Sequence, residues 1–171
     1  MSVRSVLAVL VLCAGGLAAY VGTPQPPLAA DEVSAEQLAR WIRTRHPGLQ
    51  LLDTRGLEAM QGDRLPGALA ANDVDAIAPG DIVVIYADGR IDEQTVETWR
   101  QRLSVPDVLR LHGGVEAWNT DVLFPVLRSD ASARERRAFE ARAHLSRYFG
   151  GVPRLLDPGA SGERTRSRRG C

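Results

Sequence analysis

Asp-Ile-Val-Val-Ile-Tyr-Ala-Asp-Gly-Arg-Ile-Asp, residues 81–92, is the stretch on which the fold turns. Ile82 to Ile85 are four consecutive β-branched residues, extended by Tyr86, and an apolar run this short without alternation predicts a strand buried on both faces. The pattern breaks at Ala87 into a turn containing Gly89, and from Asp92 a helical period takes over with Val96, Trp99 and Leu103 on one face. A loop between a buried strand and a helix is where α/β proteins place chemistry, because the first amides of the helix point unpaired into it. From Ile82 to Gln94 there is no Cys, Ser, Thr or His. The loop sits where a reaction would be expected, and it has no nucleophile.

Outward from this centre, Ser34 with Gln37 predicts a helix N-terminus, and Leu38, Trp41 and Ile42 recur at helical spacing until His46-Pro47-Gly48. Leu49 to Asp53 reads as a strand ending in Asp53-Thr54-Arg55, and Leu65-Pro66-Gly67-Ala68 as a turn into Leu69 to Ala71. Asn72 to Gly80 holds one helical turn, and the helix after the central loop ends near Ser104. Val108 to Leu111 is a further strand, His112-Gly113-Gly114 a tight turn, and Val115 to Asp121 a short helix carrying Trp118. Strands alternating with helices predict an α/β fold, three layers with a central parallel sheet flanked by helices. The three Trp residues fall on helix faces that belong to the core.

Four motifs in order carry a family resemblance: Leu-Leu-Asp-Thr-Arg (51–55), Leu-Pro-Gly-Ala (65–68), Ile-Val-Val-Ile-Tyr (82–86) and Leu-His-Gly-Gly-Val-Glu-Ala-Trp (111–118). Together they resemble the rhodanese-like domain, over residues 33–127. The resemblance implies that a Cys directly after the aromatic end of the central strand opens a six-residue loop closed by Arg. Its thiolate accepts sulfane sulfur as a persulfide, and the loop amides, the helix N-terminus and positive charge lower its pKa. This chain departs from that pattern at both positions, with Ala87 where the Cys is expected and Asp92 where the Arg is expected. A methyl group cannot accept sulfur, and a carboxylate repels thiosulfate. The degenerate loop Ala87, Asp88, Gly89, Arg90, Ile91 and Asp92 is therefore expected to be inert in sulfur transfer, and equally in Cys-x5-Arg phosphatase chemistry. Arg64 stands where active members often carry His, before the Pro-Gly turn. No catalytic residue and no cofactor are expected.

Other residues near the expected pocket have plain structural readings. Asp92 is placed to cap the following helix, and Asp88 with Asp92 offsets the charge of Arg90, which leaves small-anion binding at the loop as the weaker reading. Asp53 and Arg55, two residues apart at a strand end, read as an ion pair or turn bonds, and His112 is expected near the loop mouth. His46, His112 and His144 are too scattered for a metal site.

Composition bounds the rest. Acidic and basic residues balance at 21 each, and all 21 basic residues are Arg, so bulk charge does not argue for nucleic acid as a partner. Ser5 to Gly22 is an uncharged apolar run of 18 residues after Arg4, and residues 1–22 read as a signal peptide or a single-pass anchor, a hydrophobic N-terminal helix. With Arg4 before the run and acidic residues after it, the domain is expected on the periplasmic or extracellular side, membrane-anchored or secreted. Residues 23–32, with Pro24, Pro26 and Pro27, form a stiff linker. Residues 128–152 read as a C-terminal amphipathic helix capped by Ser132 and Glu135, packing back through Ala138, Ala141, Leu145, Tyr148 and Phe149. Residues 153–171 read as a disordered Arg-rich tail. The two cysteines, Cys13 and Cys171, lie at opposite extremes of the chain, which rules out a core disulfide or a zinc-type cluster. The functional expectation is a membrane-tethered binding or structural module with an unknown protein partner. The alternative is a sulfurtransferase or sulfane-sulfur carrier that works through Cys171 or a partner's thiol.

Overall fold

The structure is a computed structural model describing residues 28–56, 62 and 64–156. Five parallel strands form its central sheet: β1 (Glu32–Val33), β2 (Leu49–Asp53), β3 (Leu69–Ala70), β4 (Ile82–Tyr86) and β5 (Val108–Leu111), in the order β1-β5-β4-β2-β3. Central β4 pairs with β2 over its whole length, Leu49 opposite Ile82 through Asp53 opposite Tyr86, and with β5 from Val83 opposite Val108. Val83, Val84, Ile85 and Tyr86 are fully buried, as an apolar run between two parallel neighbours requires.

Alternation along the strands separates two cores. Val84 and Tyr86 of β4 and Leu51 of β2 pack with Leu38 and Ala39 of helix α1 (Ala35–Thr44), Val115 of α3 (Gly114–Ala117), and Trp118 and Val122 of the turn that follows. Val83, Ile85 and Leu52 face the other way, onto Val96 of α2 (Glu93–Leu103), with Trp99 and Leu103 against the same cluster. This is the three-layer arrangement the resemblance implies. The Ser34 and Asp92 caps form as expected, accepting from the amides of Gln37 and Thr95. Asn72 to Gly80 holds one 3-10 turn, Val74–Ala76.

Several boundaries differ from the sequence reading. β1 begins at Glu32, inside the expected linker, because its edge pairing with β5 extends the sheet by one strand. The helix expected over 115–121 is instead α3 followed by a π-helical turn, Trp118–Leu123, in which the Phe124 amide bonds the carbonyl of Asn119 at 2.8 Å. The expected stripe on α4 (Ala133–Tyr148) is corrected as well. Ala138, Ala141 and Tyr148 are exposed, while Phe139, Ala143, Leu145 and Ser146 are buried. Two neighbours draw different faces of α4 inward: Leu145 joins the main core, and Phe139 and Ala143 cover Leu127. Phe149 does pack back, edge-on to Trp118 at 5.1 Å.

The expected tail begins with a strand. β7 (Arg154–Leu156) pairs in parallel with β6 (Val126–Arg128), so the extension is a helix bracketed by a two-stranded sheet. Its anchor is the carbonyl of Leu123, which accepts the Ser146 hydroxyl at 2.7 Å and the Val152 amide at 2.8 Å. Gly151 lies so close that a Cβ there would stand 2.1 Å from that oxygen. Ser5–Gly22 and residues 157–171 lie outside the described residues, and among the described ones no helix is long and apolar enough to cross a membrane.

Backbone cannot yield to a methyl at 2.1 Å, so Gly151→Ala is expected to lower stability by about 2–3 kcal/mol, whereas Ser146→Ala loses one hydrogen bond at about 1 kcal/mol. Urea unfolding of the two variants checks the ranking, and equal midpoints would show that the Leu123 anchor has been misread.

Candidate functional site

The loop Ala87–Asp92 leaves the C-terminal end of β4, flanked by the ends of β2 and β5, as the parallel register dictates. Beneath it lies a buried polar network. Asp53 is fully buried at the end of β2, and Arg55 grips it through Nε to Oδ1 at 3.0 Å and Nη2 to Oδ2 at 2.8 Å, while the Arg55 amide also donates to Oδ1. The Tyr86 hydroxyl donates to Asp53 Oδ2 at 2.9 Å and accepts from the Leu65 amide of the Pro-Gly turn. Arg55 reaches on to the loop through Nη1 to Asp88 Oδ1 at 3.0 Å, and its guanidinium lies 5.6 Å from the Tyr86 ring centroid.

Burial pushes the Asp53 carboxyl up, but the bonds from the Arg55 side chain and amide and from Tyr86 outweigh that and hold it below the usual carboxylate range. Burial, then the bond to Asp53, pushes the Tyr86 hydroxyl up to about 12.

The loop backbone is set by α3. A Cβ on Gly114, at φ +59°, would stand 2.4 Å from the carbonyl oxygen of Ala87, 2.8 Å from that of Asp88 and 2.6 Å from that of Gly89. Only glycine permits this approach. The Ala87 carbonyl also accepts from the Val115 amide at 2.9 Å. In a trans peptide the N–H opposes the preceding C=O, so the amides of Asp88, Gly89 and Arg90 turn away from α3. The expectation of unpaired helix amides in the loop is corrected for α2, because the Asp92 carboxylate caps Thr95 N at 2.7 Å. That backbone bond is the main reason the Asp92 carboxyl is held low.

A second ionic cluster joins the loop to β1 and β5. Arg110, buried in β5, bonds Glu32 Oε1 at 3.1 Å through Nε, the Ile91 carbonyl at 3.1 Å, and Asp31 at 3.4 Å. Glu32 Oε2 meets His112 Nδ1 at 3.2 Å, and Arg90, largely exposed, approaches Oε1 at 3.8 Å. Burial raises the Glu32 carboxyl, but the Ala29 amide, His112 and Arg110 overcome this and lower it.

Of the residues singled out from sequence, Asp53, Arg55 and Asp88 come together as one ion-paired chain, while Arg90 and His112 meet at Glu32. Among the described residues Arg64 shares no side-chain hydrogen bond or ion pair with either group, and its Nη2 donates to the Ala68 carbonyl across the Pro-Gly turn. Tyr86, Glu32 and Arg110 were missed as polar participants. The available signal was Arg110 itself, a charge inside the apolar strand Val-Leu-Arg-Leu. Among the described residues no group of three His, Cys, Asp or Glu side chains is placed to hold a metal ion.

No protein-family model and no curated protein matches the sequence. Among solved structures, the chain is similar to the BH2092 protein of Bacillus halodurans at 20% identity, covering 52% of this chain and 70% of that one, with a TM-score of 0.45. It is also similar to a Rhodopseudomonas palustris protein of unknown function described as a possible tyrosine phosphatase, at 15% identity over 57% of this chain and 95% of that one, TM-score 0.42. A third similarity is to the 3-mercaptopyruvate sulfotransferase SseA of Escherichia coli, described as having the "Rhodanese" fold, at 21% identity and a TM-score of 0.38. It covers 53% of this chain and 48% of SseA, so the chain spans about half of that protein.

The Asp53–Tyr86 pair makes stability depend on pH at both extremes. The unfolded carboxyl takes up a proton near pH 4 and the native one only at lower pH, so stability falls as pH drops from about 5 through the native value. At the other end the unfolded phenol ionises near pH 10 and the native one near 12, so stability is lost between them. Tyr86→Phe is expected to cost about 1–2 kcal/mol at pH 7 and to flatten the alkaline limb, and Asp53→Asn to flatten the acid one. Chemical denaturation at a series of pH values checks both, and unchanged limbs in both variants would count against the network.

Proposed function

We propose that this chain is a catalytically inactive rhodanese-like domain, tethered to a membrane through Ser5–Gly22 on the extracytoplasmic side, that serves as a binding or structural module. The observation that carries this reading is Ala87. It stands at the end of the central strand, where the sulfur acceptor would be, and its methyl packs with the apolar cluster around Ile91. The position that would supply positive charge holds the Asp92 carboxylate, engaged in capping α2. Asp88 adds an exposed carboxylate to the same loop. The four sequence motifs support the family reading, since the structure joins three of them physically: Asp53 and Arg55 of the first, Leu65 of the second and Tyr86 of the third form one hydrogen-bonded unit.

One observation favours a second reading, in which the loop retains small-anion binding. Three successive amides, those of Asp88, Gly89 and Arg90, turn away from α3, an arrangement suited to an anion.

A thiosulfate:cyanide assay on the full chain is expected to give no turnover above a no-protein control. Turnover that survives Cys171→Ser would overturn the inactive-domain reading, and turnover lost in that variant would transfer the activity to Cys171. Alkaline carbonate extraction of native membranes is expected to leave the chain in the pellet; its release would refute the tether. For the loop, a melting temperature unmoved by tens of millimolar thiosulfate or sulfate dismisses anion binding.

A further inference from the structure

The C-terminal extension builds a cleft unconnected with the chemistry of the loop. It is open, about 460 Å3 in volume, and lined by the π-helical turn (Asn119, Thr120, Asp121), by Phe124 and Val126, and by Arg142 of α4 and Arg154 of β7. Single-turn π-helices are frequent at functional sites, because the extra residue widens the helix and re-aims its side chains.

Among the described residues Arg154 forms no ion pair, and the Arg142 side chain, 28% exposed at the cleft, has only one long ion pair. Arg142 Nε is buried without a hydrogen-bond acceptor, and its nearest carboxylate, Glu36 Oε1, lies 3.7 Å away while the other Glu36 oxygen holds Arg40 at 3.0 Å. Arg154 has its guanidinium carbon 5.3 Å from the Phe124 ring centroid, which presents the planar fork over an aromatic face. Phe124 and Val126 remain 39% and 40% exposed, so the apolar wall beside the two guanidiniums is open to a ligand. The Asp121 carboxylate, with Thr120 Oγ1 at 3.4 Å, lines the same cleft and offsets part of the positive charge.

We propose that this cleft binds a small monocarboxylate with an apolar body, its carboxylate held by Arg142 and Arg154 and its apolar part against Phe124 and Val126. A planar carboxylate takes two N–H groups of a guanidinium fork at once, and the apolar body adds a contact with Phe124 and Val126 that an inorganic oxyanion lacks. With Asp121 and Glu36 set against Arg142, Arg154 and Arg40, the surroundings carry a net charge suited to a single negative group, and Asp121 disfavours dianions. Asn119 and Thr120 supply neutral hydrogen-bonding groups at the rim.

Equilibrium dialysis of the full chain against benzoate tests this, with benzamide and sulfate as comparison ligands. Benzoate is expected to saturate at about millimolar Kd, as its nine heavy atoms allow, and to bind at least about tenfold more tightly than either comparison ligand. Arg142→Gln and Arg154→Gln are each expected to weaken benzoate by about tenfold, and Arg142→Lys to weaken it too while keeping a charge beside Glu36. Should Arg142→Gln fail to fold, Arg154→Gln decides alone. Absence of saturable benzoate binding, equal binding of benzamide, equal binding of sulfate that Arg154→Gln also weakens, or benzoate affinity unchanged in the folded arginine variants would overturn the proposal. Sulfate held by the loop is told apart from sulfate held by the cleft because its binding is unchanged in Arg154→Gln, so the failure of either reading is seen separately.

Discussion

A carboxylate with no exposure to water must be neutralised where it stands, and in this protein that requirement falls on Asp53. Its two oxygens collect the Arg55 fork, the Arg55 amide and the Tyr86 hydroxyl, and Tyr86 in turn receives the Leu65 amide. The ends of two adjacent strands, the Pro-Gly turn and, through Asp88, the first residues of the loop are thereby held in one arrangement. Removing any member leaves a buried polar group short of a partner, which costs more than the bond itself contributes. The frame under the loop is rigid whether or not the loop performs chemistry.

On that frame the course of the loop Ala87–Asp92 is set mainly by its backbone. Gly114 admits three carbonyls at close range, which fixes the peptide planes of Ala87, Asp88 and Gly89. Arg110 fastens the far side by bonding the Ile91 carbonyl and Glu32 together. Backbone packing, with the Ala87 methyl against the cluster around Ile91, maintains this course.

The C-terminal extension depends on a different single atom. The Leu123 carbonyl, at the end of the π-helical turn, accepts from both Ser146 and Val152, so the helix and β7 are referred to the same point. With Gly151 pressed against it, β7 comes into register with β6, and the cleft between Phe124, Arg142 and Arg154 follows.

Local pattern alone settled the strand Ile82–Tyr86, the caps at Ser34, Asp92 and Ser132, and the absence of a thiol at Ala87, because each is a property of a few adjacent residues. The Asp53–Arg55 pairing was legible for the same reason, two residues being near enough for a side chain to reach back. Strand β1 and strand β7 were not legible: two or three residues carry no period, and each exists through a partner 78 and 28 residues away, Glu32 opposite Arg110 and Val126 opposite Arg154. The buried face of α4 was misread because helical spacing reports which residues share a stripe, while the neighbours of the helix choose which stripe is covered. Tyr86 shows the same division within one side chain. Its ring belongs to the strand that its apolar neighbours predict, but its hydroxyl acquired a role only when folding brought Asp53 to within 2.9 Å of it.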